Sequence, residues 1–220
     1  MVFPTFLKKF IIYYEAVNPQ TSILSYHIWL MDLLSAWIRN YIYDQKYSIF
    51  QRIINEEGIG LVNKSFVVFL DVDGVLNSRS TVQRTPDGYQ GIDDARVEIL
   101  SKVIQKMGGG EIVLSSDWKN MKCTDDDYVN LVDKLGKFGL SIVAHTEDQK
   151  FNRGAGILTY LEEHPDIMEY VILDDCKFDF QDYRKLWERL LITDGIERAK
   201  FAAKTPAVET MLFLDYIKES

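Results

Sequence analysis

The apolar run Phe66-Val67-Val68-Phe69-Leu70, followed directly by Asp71-Val72-Asp73-Gly74-Val75-Leu76, constrains this chain more than any other feature. Five consecutive apolar residues have the length and character of a buried parallel strand. Two carboxylates then stand two residues apart, just before a glycine. At the end of a strand both reach one crevice, and in open α/β sheets ligands bind outside the carboxyl ends of the strands. The pair offers two acids for two tasks: Asp71 could attack as a nucleophile, and Asp73 could shuttle a proton.

Beyond Ser65 the pattern alternates between strand and helix. A polar loop from Ser78 to Gly91 leads into a helix that starts near Asp93 or Asp94. This helix carries Val97, Leu100, Ile104 and Met107 on one face and stops at Gly108-Gly109-Gly110. A short strand, Glu111 to Leu114, ends in Ser115-Ser116-Asp117. Thr124 caps the next helix, Gly136 ends it, and Leu140 to Ala144 reads as a third strand. A helix from Gly154 to His164 is closed by Pro165. Tyr170 to Leu173 is a fourth strand, ending in Asp174-Asp175. Gln181 to Leu190 reads as helix, Leu191 to Thr193 as a fifth strand, and Thr205-Pro206 as the start of a final helix. This alternation predicts an α/β fold, a Rossmann-like parallel sheet with helices on both faces.

Residues 1–62 follow a different pattern. Pro4 suits a first helical turn, Thr21 could cap a helix running towards Tyr43, and a third helix spans Ser48 to Glu56. The segment holds 12 of the 28 aromatic residues, so it is expected to be a helical, aromatic-rich extension. Its rings pack on the main domain, or they form a lid or partner surface. The main domain is expected over 63–220. Residues 1–62 are balanced in charge, so the whole net charge of −8 lies in 63–220. An acidic domain is a poor generic binder of phosphate backbones, and a phosphate site in it needs a metal or local basic groups. Two cysteines, Cys123 and Cys176, cannot build a disulfide framework and fit a reducing, cytoplasmic setting. The most apolar window, Ile23 to Ile38, contains His27 and Asp32 and falls short of a spanning helix, so no stable membrane insertion is expected.

Three strand ends carry polar residues: Asp71 and Asp73, Ser115 and Ser116, Asp174 and Asp175. In a parallel sheet these ends lie on one edge. Like charges at close range are costly, and a hard divalent cation relieves the repulsion. Mg2+ prefers oxygen ligands, one or two carboxylates with substrate phosphate. A strand-end hydroxyl could hold a phosphoryl oxygen, and Lys150 and Arg153 stand before the helix that leads to the fourth strand. The combination reads as phosphoryl transfer, in which positioning and charge neutralisation carry the catalysis. Asp-x-Asp-Gly also opens calcium loops, but an EF-hand needs Glu at position 82, where Val82 stands.

The runs Leu70-Asp71-Val72-Asp73-Gly74-Val75-Leu76-Asn77, Leu114-Ser115-Ser116-Asp117-Trp118-Lys119, Arg153-Gly154-x-x-Ile157 and Ile172-Leu173-Asp174-Asp175 resemble the haloacid dehalogenase-like (HAD) phosphatases. The detail is most similar to small, nearly capless members, including those associated with RNA repair. The resemblance covers roughly 65–195. It implies that Asp71 is the nucleophile of an aspartyl-phosphate, and that Asp73 protonates the leaving group and then activates water. It implies Mg2+ held by Asp71, by the backbone carbonyl of Asp73 and by an acid after the fourth strand. That acid is Asp175, with Asp174 as the alternative, because Asp179 follows Asp175 at the spacing of a second family acid. Ser115 matches the phosphate-holding hydroxyl and Arg153 the basic residue, with Lys150 as the alternative. Trp118 reads as a packing residue.

The interval between Asp71 and Ser115 has room for a flap over Asn77 to Ile92 but not for a cap domain. An open site admits a phosphate on a large molecule. The acidic charge disfavours a nucleic acid although the RNA-repair resemblance favours one, so the expected substrate is a phosphoprotein. Nucleic-acid ends and small phosphorylated metabolites are the alternatives. Arg79 and Arg84 in the flap could steer such a substrate. A different class, a catalytically degenerate interaction module, is opposed by the intact set of nucleophile, acid, hydroxyl, cation and metal acids.

Overall fold

The structure, a computed structural model, describes residues 66–147 and 152–220. The helical extension expected over 1–62 and the alternative cation Lys150 lie outside the described residues. Six strands form one sheet: β1 (Phe66–Leu70), β2 (Glu111–Leu114), β3 (Ile142–His145), β4 (Glu169–Asp174), β5 (Leu190–Ile192) and β6 (Lys200–Phe201). Their order is β3-β2-β1-β4-β5-β6. The first five are parallel, and β6 pairs antiparallel with β5 at the edge. The helices are α1 (Asp94–Lys106), α2 (Asp126–Lys137), α3 (Arg153–Glu163), α4 (Arg184–Trp187) and α5 (Val208–Lys218). The predicted α/β fold with a Rossmann-like sheet is therefore present.

All five residues of β1 are buried because the strand is central and covered on both faces. Side chains alternate across it. Phe66, Val68 and Leu70 join one core, with Val97 and Leu100 of α1, Leu131 of α2 and Phe213 of α5. Val67 and Phe69 join the other, with Ile157 of α3, Phe180 and Leu186 of α4. Burying such a side chain contributes about 1.5–3 kcal/mol, so this strand is strongly anchored in the sheet.

The chain leaves β1 towards β2 on one side and leaves β4 towards β5 on the other, although β1 and β4 are neighbours. The strand order reverses there, and that reversal opens a crevice at the carboxyl ends of β1 and β4. The two strands that carry the acids are the two that flank it.

Several boundaries differ from the sequence reading. Asp125, not Thr124, stands at the cap of α2. The helix expected over Gln181 to Leu190 shrinks to the four residues of α4, because Leu190 already pairs with Ile172 as the start of β5. The last helix begins at Val208, after Ala207 donates its amide to the Glu188 carbonyl (2.8 Å). The two-residue strand β6 is too short to leave a periodic signal. Among the described residues, no helix is long and apolar enough to cross a membrane.

Candidate active site

Ladder hydrogen bonds run one residue past the strands and fix the catalytic edge. Asp71 donates its amide to the Leu173 carbonyl and Ser115 donates to Leu70, each at 2.9 Å; Thr193 donates to Asp174 at 3.0 Å. Asp71, Ser115 and Asp174 are thereby set side by side on rigid backbone. Beyond Asp71 the chain turns sharply, with Leu76 donating to the Val72 carbonyl. Gly74 sits at φ +73°, and a Cβ there would lie 2.5 Å from Asp175 Cβ. Only glycine permits both this left-handed backbone and the approach of the Asp175 loop. The Gly74 carbonyl is held by the Gly195 amide (2.7 Å) and the Thr193 hydroxyl (2.6 Å), so the loop after β5 braces the turn.

Asp71 and Asp174 are buried and Asp175 is exposed, and ligand oxygens of all three lie within 4.8 Å of one another. Burial pushes the Asp71 carboxyl up to about 6, with Arg153 as the strongest opposing influence. Burial, and then repulsion from Asp71, pushes Asp174 up to about 8. Asp175 is also raised, mainly by burial. Asp71 Oδ1 has no hydrogen-bond partner. A buried carboxylate oxygen without a donor, inside a cluster of like charges, is the donor set a hard divalent cation suits.

Arg153, the first residue of α3, reaches into the cluster. Its Nη1 lies 3.2 Å from Asp71 Oδ2 and 3.1 Å from Asp174 Oδ2, and its Nη2 lies 3.2 Å from Asp117 Oδ2. Burial works against its charge, but the three carboxylates outweigh that and raise its pKa. The local sequence explains its placement. The Asn152 side chain accepts the Ala155 amide (2.8 Å) and starts the helix. At Gly154 a Cβ would meet the Asp179 carbonyl at 2.2 Å, so glycine lets the helix start pack against that segment. Asp179 itself faces the Arg153 amide, with Oδ2 at 3.4 Å. It accepts at the start of α3 and is not one of the three clustered acids.

Ser115 is fully buried, and its hydroxyl has no hydrogen-bond partner. Ser116, by contrast, caps the 3₁₀ turn Asp117–Asn120 by accepting the Trp118 amide (3.4 Å). The difference favours Ser115 as the hydroxyl still available to a substrate. Lys119 Nζ lies 3.4 Å from both the Ser115 carbonyl and Thr146 Oγ1.

Three participants were missed by the sequence reading. Asp117 pairs with Arg153. Trp118 is buried as expected, yet its indole Nε1 also donates to Asp73 Oδ2 (2.9 Å). Asn77 donates to Asp73 Oδ1 (2.8 Å) and accepts the Gly74 amide (3.0 Å). Asp117 and Trp118 directly follow Ser115-Ser116, and that adjacency was the available signal. The flap over 77–92 is a small irregular hairpin closed by one bridge between Arg84 and Gln90. Among the described residues no cap domain is inserted.

A Rossmann-like sheet with Asp-x-Asp-Gly at its switch point, a hydroxyl on the adjacent strand end and paired acids on the other defines a HAD-like domain, the fold of phosphatase-type hydrolases. Residues 67–197, more than half of the chain, match the HAD domain in Swiss Army Knife RNA repair proteins, and the chain belongs to that family. No curated protein matches it.

Proposed function

We propose that the chain is a Mg2+-dependent phosphomonoester hydrolase working through an aspartyl-phosphate on Asp71. The observation that carries this reading is the convergence of Asp71, Asp174 and Asp175 within 4.8 Å at the sheet edge that also holds Ser115 and Arg153. In the first step a carboxylate oxygen of Asp71 forms a bond to phosphorus, the bond to the leaving oxygen breaks, and Asp73 gives that oxygen its proton. In the second step Asp73 takes a proton from water, the water oxygen attacks phosphorus, and inorganic phosphate leaves with Asp71 restored. Ser115 and Arg153 hold the phosphoryl oxygens. Asp71, the Asp73 carbonyl and Asp174 or Asp175 would hold the cation, which supplies charge to offset the clustered carboxylates and the phosphoryl group.

The substrate is read as a phosphorylated nucleic-acid end. The case for a phosphoprotein rested on the acidic net charge, but the RNA-repair description of the family weighs against it. Local chemistry agrees with the family. A shallow surface groove of about 600 Å³ is lined by Lys177, Gln181, Trp187, Lys200 and Phe201 among others. Aromatic rings interleaved with lysines suit single-stranded nucleic acid. The test is a screen of oligonucleotides with 5′ or 3′ phosphates, phosphopeptides, nucleotides and sugar phosphates, with and without Mg2+, against Asp71→Asn. Preference for oligonucleotide ends is expected. Preference for phosphopeptides would restore the protein reading, and Mg2+-independent activity that survives Asp71→Asn would remove the mechanism.

A further inference from the structure

Asp73, unlike the buried Asp71 and Asp174, is exposed. An exposed carboxylate on a turn normally samples several rotamers. A general acid must instead stand within hydrogen-bond reach of one substrate oxygen. Here each of its oxygens is occupied by one donor: Trp118 Nε1 on Oδ2 at 2.9 Å and Asn77 Nδ2 on Oδ1 at 2.8 Å. Both donors are themselves fixed. Trp118 is only 5 % exposed and packs into the core beside α1 and α2. Asn77 is 1 % exposed, and its own oxygen accepts the Gly74 amide.

The chemistry of the two donors is matched to a proton shuttle. An indole N–H and a primary amide N–H donate but accept no proton at that atom. Neither can take the proton Asp73 carries, as a histidine in the same place could. A carboxylate oxygen has two lone-pair sites, so one donor on each leaves one site per oxygen open to the substrate or to water.

We infer that Trp118 and Asn77 are positioning residues that clamp the Asp73 carboxylate in the orientation proton transfer requires. This rests on the phosphatase reading above and adds a residue class to it. The segment after β2 thereby serves three parts of the site within four residues: Ser115 for the phosphoryl group, Asp117 for Arg153 and Trp118 for Asp73.

The test is Trp118→Phe, which keeps the packed ring and deletes the donor. Should that variant fail to fold, Asn77→Ala carries the same test on the other oxygen, since it removes the second donor to Asp73 without adding a charge. The measurement is kcat/KM for an aryl phosphate, whose phenolate leaves without a proton, and for an alkyl phosphate, whose alkoxide needs one. This parameter reports the first phosphoryl transfer. A loss of about tenfold or more on the alkyl ester with less than about threefold on the aryl ester is expected, part of the about 10²–10⁴-fold a general acid supplies. Equal losses on both, or none on either, would overturn the clamp. A readout independent of turnover separates the clamp from the phosphatase reading. In NMR spectra, Asp73→Ala should move the Trp118 indole proton upfield more than any other indole proton; an unmoved signal overturns the clamp even in an active enzyme. If the wild type hydrolyses neither ester while that signal moves, the phosphatase reading falls and the clamp stands as a structural feature.

Discussion

Asp71 and Asp73 stand two residues apart on one turn, yet the crevice treats them in opposite ways. The inner wall holds Asp71 and Asp174, both buried, with Arg153 bridging them. The rim holds Asp73, exposed, with neutral donors on both oxygens. The inner acids form a donor set that suits a cation, and the outer one is held by two hydrogen bonds. The difference comes from topology: Asp71 continues the ladder of a strand covered on both faces, and Asp73 lies past the point where the chain turns away from it.

Variants can break this contrast. Asp71→Asn should reduce Mg2+-dependent turnover to background, because it removes the nucleophile. Asp73→Asn should slow turnover by about 10²–10⁴-fold while leaving the rise in Tm on adding Mg2+ close to that of the wild type. An equal loss of that rise in Asp73→Asn would erase the distinction between wall and rim. Arg153→Met strands two buried acids without their counter-charge, and removing one partner of a buried pair costs about 3–5 kcal/mol. Denaturant unfolding without metal reads this directly, and Mg2+ should recover part of the loss. Asp174→Asn should act in the opposite sense and stabilise the metal-free protein near neutral pH, since a neutral amide removes the cost of burying or protonating a carboxyl beside Asp71.

Much of the fold was legible because the strands are apolar runs bounded by glycines and polar clusters. The central strands β1 and β4 and the acids behind them follow from that pattern alone. The edge was not legible. Strand β6 spans only Lys200 and Phe201, and α4 keeps one turn because pairing with β4 takes over at Leu190. In the site, the placement of Asp71, Ser115 and Asp174 at adjacent strand ends could be read from position. The hydrogen bond from Trp118 to Asp73 spans 45 positions, and no local pattern announces a contact of that range. The contact of Asp179 was not legible for a related reason: its side chain accepts from the start of α3, a segment distant in sequence.

A pH dependence follows from the shifted carboxyls. Asp71 and Asp174 titrate near about 6 and about 8 in the folded protein, above the ordinary 3.8. Each therefore favours the folded state at low pH, fully below about pH 4, and that contribution is lost as pH rises through the folded values. The metal-free protein should lose stability between about pH 4 and about pH 8, and the gain in Tm from Mg2+ should be larger at the upper end. A gain that is flat or shrinks with pH would mean that the inner acids do not bind the ion.

The central claim is that the inner wall performs Mg2+-dependent phosphoryl transfer onto Asp71. The most direct measurement is covalent labelling: the Asp73→Asn protein, slowed in releasing the phosphoryl group, is mixed with a ³²P-labelled phosphomonoester and Mg2+, acid-quenched and mapped by mass spectrometry. The account predicts one phosphoryl group on Asp71, absent without Mg2+ and absent in Asp71→Asn. Turnover with no acyl-phosphate at Asp71, or with the label on another residue, would contradict it.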